Sequence, residues 1–256
     1  MAQCDHGGGQ GKLYVVGTGP GSARHMTPAA GEALAAAEVI VGYQTYLDLI
    51  PEFLTGKEVI ASQMMKEVDR CRKALALTAE GRKVALVSGG DPGIYAMAGL
   101  VFEMAKEQNL CVVIEVIPGI AALNACAARL GAPLMHDFAA ISLSDLLTPW
   151  EKIEQRLEAA AAADFVVVIY NPKSKKRAEH IVRAREILLA HRPPETPVGI
   201  VTAATRENER IVLTTLEKML ASEIDMQTTI IVGNSMTFAW QGFMVTPRGY
   251  AAKYEL

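Results

Sequence analysis

Short apolar runs rich in β-branched residues alternate with helical stretches along most of this chain, and that alternation limits the fold more than any other feature. Runs of this composition are typical of strands, and strands that alternate with helices predict βαβ units and a mostly parallel sheet. We predict strands at 13–16, 39–41, 58–60, 83–87, 111–117, 138–142, 165–169, 198–201, 210–214 and 229–232. We predict helices at 28–37, 66–80, 97–108, 121–130, 150–162, 176–191 and 215–221. The chain is therefore predicted to be an α/β protein.

The alternation breaks once, at Pro118-Gly119, and the 256 residues are enough for two modest domains. We predict an N-terminal α/β domain over 12–118 and a C-terminal α/β domain over 119–250, with a cleft between them. The later strands have Thr-rich ends and a short connection at 206–209, so part of the second sheet is expected to be antiparallel. Residues 1–11 and 251–256 are predicted to be tails.

Composition excludes several classes of protein. Half of the residues are hydrophobic, the formal net charge is −3, and no apolar run approaches a membrane span of about 18 residues. A nucleic-acid partner and a membrane location are therefore not expected. The four cysteines form no C-x-x-C pair, and three of them lie in apolar patterns typical of buried residues, which indicates reduced thiols in a cytoplasmic protein. Cys4 and His6 are too few for a metal site, so no metal is predicted.

The first of three glycine-rich segments is Gly17-Thr18-Gly19-Pro20-Gly21-Ser22, directly after the first predicted strand. It departs from the dinucleotide-binding fingerprint because position 22 is Ser and because Thr27-Pro28 is the better helix start. No acidic residue ends the second strand, where such a fingerprint needs one. The segment therefore predicts a turn that passes close to a ligand, with an ordinary turn as an equal alternative.

The other two glycine-rich segments also follow strands. In Ser88–Tyr95 the glycines let the backbone approach a ligand, and Pro92 restricts Asp91 to extended conformations. A carboxylate placed in this way suits ribose hydroxyls or a cationic ligand group, although a plain Asp-Pro-Gly turn is the simpler alternative. Residues 118–122 open a helix whose free N–H groups can face a ligand, or they form only a domain-linking turn.

Two polar segments follow strands in the second half, at Ser142–Trp150 and Tyr170–Arg177. The first offers hydroxyls, one carboxylate and a Trp, and the second offers an amide, an aromatic ring and four cations. Open α/β sheets bind ligands at the carboxyl ends of their strands, so the two segments predict a groove for a flat, polyanionic substrate. The alternative for the cations is a solvated helix start, which the helix dipole slightly disfavours.

The three glycine-rich segments, in this order and at this spacing, resemble the tetrapyrrole methylase family, whose members transfer methyl groups from S-adenosylmethionine. The resemblance runs from about Leu13 to Tyr250. It implies a class III methyltransferase of two α/β domains, with the cofactor in the cleft, and a cytoplasmic homodimer acting on a tetrapyrrole. One departure is Ala121, where the family frequently has Ser.

The two polar segments resemble the branch of the family that methylates C(17) of a corrin precursor and contracts its ring in cobalamin biosynthesis. The substrate would be precorrin-3B or cobalt-factor III, and the sequence does not distinguish a cobalt-free from a cobalt-containing one. Three alternatives stay open: another tetrapyrrole methylase, acting on a different corrin carbon, on uroporphyrinogen or on a macromolecule; a dinucleotide-dependent oxidoreductase; and a non-catalytic ligand-binding module.

The resemblance also assigns residues. It implies cofactor contacts at Gly89, Asp91, Ile94, Ala121, Ala122, Tyr170, Asn171, Ala204 and Thr229. It places Gly19, Pro20 and Gly21 on the substrate side, where the cations Lys173, Lys176 and Arg177 are candidates for binding substrate carboxylates. Ring contraction moves protons, and our hypothesis is that Asp145, with Ser144 or Thr148, acts as the acid or base. The alternative, that Asp145 merely caps its turn, has nearly equal weight.

Overall fold

The structure is a computed structural model that describes residues 11–174 and 177–255. The predicted tail residues 1–10 and Leu256, as well as Lys175 and Lys176, lie outside the described residues. The chain divides into two compact units, Met1–Ala122 and Leu123–Leu256. The sequence-based boundary lies at 118, just before this division. Within the described part of the chain, no helix has both the length and the apolar character that a membrane crossing requires.

The first unit contains one sheet of five parallel strands. The strands are β1 Lys12–Gly17, β2 Val39–Tyr43, β3 Glu58–Ser62, β4 Lys83–Ser88 and β5 Val113–Ile117. Their order in the sheet is β3-β2-β4-β1-β5. Because β4, β1 and β5 are parallel neighbours, the three segments that follow them leave the sheet at the same edge. All five predicted strands are present, with small shifts at their ends.

Helices cover both faces of this sheet. They are α1 Pro28–Ala36, α2 Gln44–Leu47, α3 Glu67–Ala79 and α4 Ala98–Glu107, with 3₁₀ turns at Ala23–His25 and Pro51–Phe53. Val15 packs in the core beneath α3 and α4, whereas its neighbour Val16 packs in the core beneath α1 and α2. This follows from the alternation of side chains across a strand. The predicted start of α1 is confirmed, since the Thr27 hydroxyl accepts from the N–H of Ala30.

The second unit contains a five-stranded mixed sheet and a small three-stranded sheet. Its strands are β6 Gly131–Ala132, β7 Phe138–Ser142, β8 Val166–Tyr170, β9 Pro197–Thr202, β10 Arg210–Thr215, β11 Thr228–Val232, β12 Phe238–Trp240 and β13 Phe243–Val245. The larger sheet has the order β10-β9-β11-β8-β7, and only β7 and β8 pair in parallel. The predicted antiparallel character is confirmed. The ends of β7, β8 and β9 and the start of β11 consequently share one edge.

The helices of this unit are α5 Ala122–Leu130, α6 Trp150–Ala162, α7 Glu179–Leu189 and α8 Tyr250–Lys253. Residues of α6 and α7 pack in one core with the strands, including Leu157 and Leu188. The helix predicted over 176–191 begins only at Glu179, and before it Ser174 and Arg177 exchange backbone hydrogen bonds. Lys173 and Arg177, the described cations of that segment, therefore precede the helix.

One further prediction for this unit is wrong, and one small sheet was missed. The helix predicted over 215–221 is wrong, since Thr215 ends β10 and only a 3₁₀ turn, Met219–Ala221, follows. The three-stranded sheet β12-β13-β6 was not predicted. Its strands are two or three residues long. Runs that short contain no alternation from which a strand could be recognised.

The cysteines only partly follow the prediction of reduced thiols. Cys71 and Cys126 are free and buried. Cys111 is disulfide-bonded and exposed, so the prediction is wrong for this residue. The predicted strand was to start at Cys111, but β5 starts at Val113 and leaves Cys111 at the surface.

Because two thiols are buried, we expect the free energy of unfolding to fall at alkaline pH. Burial raises the pKa of both Cys71 and Cys126 to about 12, whereas an unfolded thiol has a pKa near 8.5. The unfolded chain therefore loses these protons first, and stability falls as the pH rises from about 9 towards 12, by up to about 1.4 kcal/mol per thiol and pH unit. Urea unfolding at several alkaline pH values measures the slope, and Cys71→Ala should make it shallower. An equal slope in the variant would contradict a raised pKa of the Cys71 thiol.

Candidate cofactor and substrate residues

The first two glycine-rich segments are joined by backbone hydrogen bonds at the edge of the parallel sheet. The Gly19 N–H donates to the Gly90 carbonyl at 3.1 Å, and the Gly90 N–H donates to the Gly19 carbonyl at 2.7 Å. Just before them, the N–H and the hydroxyl of Thr18 both donate to the Ser88 carbonyl, at 2.9 and 3.1 Å. The segments after β1 and β4 thus form a single rigid strip of backbone.

The third segment approaches this strip so closely that only glycine fits. A Cβ on Gly119 would lie 2.2 Å from the Gly90 carbonyl oxygen, and a Cβ on Gly17 would lie 2.7 Å from the same oxygen. Gly19 and Gly90 also have positive φ angles, 78° and 68°, which favour glycine. The sequence suggested that these glycines admit a ligand. Their first role in the structure is to let three backbone segments approach one another.

Asp91 ties the second segment to the third. Its Oδ1 accepts from the Gly93 N–H at 2.8 Å, and its Oδ2 accepts from the Gly119 N–H at 3.1 Å. The residue is half-buried. An ionised carboxylate has about four acceptor positions, so acceptor capacity remains for a ligand after these two bonds.

The remaining candidates of the first unit lie in these same segments. Ile94 and Ala122 are half-buried, and Ala121 is buried. Gly89 faces the ring of Tyr46, which a Cβ would meet at 2.6 Å. Gly19, Pro20 and Gly21, the candidates for the substrate side, are all buried. The structure therefore brings every predicted residue of this unit onto the three linked segments.

In the second unit, the two polar segments leave the sheet side by side. The parallel pairing of β7 and β8 aligns Ser142 with Tyr170. The Asn171 amide Nδ2 then donates to Ser142 Oγ at 2.9 Å. Arg177 donates through Nη1 to Ser144 Oγ at 3.0 Å and through Nη2 to the Asn171 carbonyl at 3.1 Å. We call this set, with Asp145, His180 and Trp150, the polar cluster.

Asp145 is the most open side chain of the ion pairs in the polar cluster. Its Oδ1 lies 3.5 Å from Arg177 Nη1, and its Oδ2 lies 3.6 Å from His180 Nε2. Its side chain is 47% exposed, compared with 11% for Arg177 and 18% for His180. The carboxylate therefore has two basic partners and is still about half open to solvent. Thr148, its suggested helper, is half-buried in the same segment.

The predicted substrate cations have different surroundings. Arg177 uses both Nη atoms inside the polar cluster, and its Nε is buried without a partner. Its guanidinium therefore fastens the two segments to each other. Lys173 is exposed, as a ligand for a substrate carboxylate must be, and Lys176 lies outside the described residues.

The sequence did not single out His180, which joins the polar cluster from the first turn of α7. Its Nδ1 lies 3.0 Å from the Leu143 carbonyl oxygen. Its ring stacks on Trp150 with a centroid distance of 3.9 Å and an angle of 17°. A single His near a helix start follows no recognisable pattern, and the only available signal was its spacing of three residues from Arg177.

The other candidates of the second unit lie along the shared edge of its larger sheet. Tyr170 ends β8, and its hydroxyl accepts from the Leu123 N–H of α5 at 2.9 Å. Thr229 is buried near the start of β11, opposite Val201 of β9. Ala204 is buried just after β9. Asn171 has a positive φ of 50°, which turns the chain sharply after β8.

Comparison with known proteins decides the family. Residues 12–220 match the family described as tetrapyrrole (corrin/porphyrin) methylases. The chain belongs to this family. This tetrapyrrole methylase is 51% identical over 238 residues to the probable cobalt-factor III C(17)-methyltransferase of Salmonella typhimurium, with 93% of this chain and 99% of the relative covered. It is 45% identical to the precorrin-3B C(17)-methyltransferase of a Sinorhizobium species, with 94% and 98% covered.

Two further matches extend the comparison. The chain is 52% identical over 251 residues to the cobalt-factor III methyltransferase of Priestia megaterium, covering 96% of this chain but 46% of that relative. It therefore spans about half the length of that protein. The crystal structure of the methyltransferase CobJ superposes with a TM-score of 0.88 at 39% identity, covering 93% of this chain and 100% of that one. The predicted α/β fold of the family is confirmed.

Proposed function

We propose that this tetrapyrrole methylase transfers a methyl group from S-adenosylmethionine to C(17) of precorrin-3B or cobalt-factor III and contracts the macrocycle, in cobalamin biosynthesis. The observation that carries the proposal is the joining of the three glycine-rich segments. Gly19 and Gly90 exchange backbone hydrogen bonds between the first two, and Asp91 bonds the second to the third. The names of the full-length relatives support the choice of carbon and of substrate.

The residues of the glycine-rich strip fit the proposed cofactor. S-adenosylmethionine presents ribose hydroxyls, an ammonium and a sulfonium, and when bound it supplies an electrophilic methyl group. Asp91 keeps acceptor positions free for such donors or cations after its two backbone bonds. In this proposal the cofactor contacts are made by Gly89, Asp91, Ile94, Ala121, Ala122, Tyr170, Asn171, Ala204 and Thr229. The product would be S-adenosylhomocysteine.

Methyl transfer itself asks little of the side chains. The concentrated charge of the sulfonium disperses during the transfer, which an environment with little water favours. Holding two reactants in alignment can lower the barrier by about 7–11 kcal/mol. The residues named above are therefore proposed to bind, orient and exclude water. Among the described residues there is no group of three or more His, Cys, Asp or Glu side chains suited to a metal ion.

Ring contraction does require proton transfer, and we assign it to Asp145, with Ser144 and Thr148 beside it. The support is geometric: the carboxylate is half-exposed, and Arg177 Nη1 and His180 Nε2 lie 3.5 and 3.6 Å from its oxygens. A group that gives or takes a proton must reach the substrate, and the side chain of this carboxylate is 47% exposed.

Substrate carboxylates are proposed to bind Lys173, while Gly19, Pro20 and Gly21 line the substrate side. Corrin precursors carry many acetate and propionate groups, which suit a cation. Charge reversal by Lys173→Glu should raise KM for the corrin precursor about tenfold, because an attraction becomes a repulsion. The affinity for S-adenosylhomocysteine should not change. Lys152→Glu, at an exposed position on α6, is the matched control. Equal KM values for the two variants would remove Lys173 from the substrate site.

Assembly and location are part of the same proposal. Family resemblance supports a cytoplasmic homodimer that binds no nucleic acid. Sedimentation equilibrium of the purified chain tests the dimer, and a monomer at micromolar concentration would contradict it.

The proposed function is tested by incubating the protein with methyl-labelled S-adenosylmethionine and, separately, with precorrin-3B and cobalt-factor III. Label in a ring-contracted product is the expected result, and the preferred substrate identifies the pathway. Label only in an uncontracted macrocycle would indicate another tetrapyrrole methylase. Tight binding of NADH, without binding of S-adenosylhomocysteine, would instead indicate an oxidoreductase.

A further inference from the structure

The polar cluster fixes the orientation and the tautomer of one histidine, His180. The Leu143 carbonyl oxygen, 3.0 Å from His180 Nδ1, can only accept a hydrogen bond. Nδ1 must therefore carry a hydrogen and donate it. Stacking on Trp150 fixes the plane of the ring. With Nδ1 occupied and the ring held, the direction of Nε2 is fixed as well.

That direction leads to Asp145. Nε2 lies 3.6 Å from Asp145 Oδ2, while Arg177 Nη1 lies 3.5 Å from Asp145 Oδ1. A small shift would turn either distance into a hydrogen bond. Nε2 can accept from a protonated carboxyl group, or it can donate to the carboxylate as part of an imidazolium. In both states the imidazole fixes where the carboxyl group lies.

We propose that His180 is a positioning residue for Asp145. It acts through the carboxylate: His180 holds Oδ2, Arg177 holds Oδ1, and the open side of Asp145 faces the substrate during ring contraction. This inference rests on the proposed function, and in particular on the role assigned there to Asp145. The exposed fractions of the two side chains, 18% for His180 and 47% for Asp145, fit this division, since the more covered group orients and the more exposed one meets the substrate.

The rival explanation is that His180 only holds the segment after β7 in place through its bond to Leu143. Three variants separate the two explanations. His180→Asn keeps a donor near Nδ1 and loses Nε2. His180→Gln places an amide near Nε2 and loses the Nδ1 donor. His180→Phe keeps a ring to stack on Trp150 and loses both polar atoms.

The experiment follows methyl transfer and ring contraction separately, by mass spectrometry of the products formed with labelled S-adenosylmethionine. We expect His180→Asn and His180→Phe to lower the yield of contracted product at least tenfold, because a general acid or base that is out of position loses much of its contribution to the rate. Methyl transfer and the affinity for S-adenosylhomocysteine should stay close to those of the unmodified protein. His180→Gln should recover part of the contraction. His191→Asn is the matched control. His191 is an exposed residue just after the end of α7, and it pairs with Glu158.

A normal product ratio in His180→Asn, with a lowered ratio in Asp145→Asn, overturns the inference and leaves the proposed function intact. A normal ratio in Asp145→Asn also overturns it, because no catalytic carboxylate would then need positioning. If the unmodified protein methylates neither corrin precursor, the proposed function fails, and the inference fails with it. Thermal unfolding of each variant checks that the fold persists.

Discussion

Gly119→Ala should nearly abolish cofactor binding, whereas Gly99→Ala should leave it unchanged. The new Cβ at position 119 would lie 2.2 Å from the Gly90 carbonyl oxygen and 2.8 Å from the backbone of Gly17. These neighbours are backbone atoms, so the clash is relieved only by separating the segments after β1, β4 and β5. Forcing an extra carbon into a packed site costs about 1–3 kcal/mol, and sometimes more. If that cost falls on the bound conformation, the affinity for S-adenosylhomocysteine drops about 100-fold.

Gly99 is a strict control because it lies in α4 of the same unit and a Cβ there meets nothing within 4 Å. Alanine in a helix is favoured over glycine by up to about 1 kcal/mol, so this variant should be as stable as the unmodified protein or slightly more so. Urea unfolding and calorimetric titration with S-adenosylhomocysteine measure both variants. Unimpaired binding by Gly119→Ala would show that the contact of the three segments is not needed for the cofactor.

Asp91→Asn should have the second large effect. The carboxylate accepts from two backbone N–H groups, at Gly93 and Gly119. The amide of asparagine can accept a hydrogen bond only through its oxygen. Its NH₂ group is a donor, so it cannot bond the second of these two backbone N–H groups. Hydrogen bonds to a charged group contribute about 1.5–3 kcal/mol, so the loss of one predicts measurable destabilisation.

Cofactor binding should fall further in this variant, because the charge that suits ribose hydroxyls or a cation is also lost. We expect the Kd for S-adenosylhomocysteine to rise at least tenfold, roughly 1.4 kcal/mol. Asp69→Asn is the matched control, since its ion pairs with Lys66 and Arg72 are exposed. A variant that loses stability but keeps full affinity would limit Asp91 to a structural role.

Local patterns in the sequence were enough to predict the strands of the two five-stranded sheets and most of the long helices. Each buried strand is a short β-branched run, and the Thr27-Pro28 start of α1 follows from capping chemistry alone. The order β3-β2-β4-β1-β5 was not predictable in the same way, because it depends on which strands pair across the sheet. That order brings the segment after β1 between the segments after β4 and β5. The sequence placed glycines there without showing that they touch one another.

The polar cluster shows a similar limit. Both of its segments were recognised from the residues that follow β7 and β8. The function of Arg177 depends on contacts that spacing does not reveal: it was expected to bind substrate, and its donors instead contact Ser144 and Asn171. His180 was missed because its contacts with Leu143 and Trp150 come from a different element. The backbone pairing of Ser174 with Arg177, which precedes α7, likewise could not be predicted from helix propensity.

Locating the transferred methyl group tests the proposed C(17) methylation and ring contraction most directly. S-adenosylmethionine with a ¹³C-labelled methyl group is incubated with the protein and the corrin precursor that it accepts, and the product is examined by ¹³C NMR and mass spectrometry. The proposed reaction should give a single enriched methyl group at C(17) of a ring-contracted macrocycle. Enrichment at any other carbon, or at C(17) of a macrocycle that has not contracted, would contradict it.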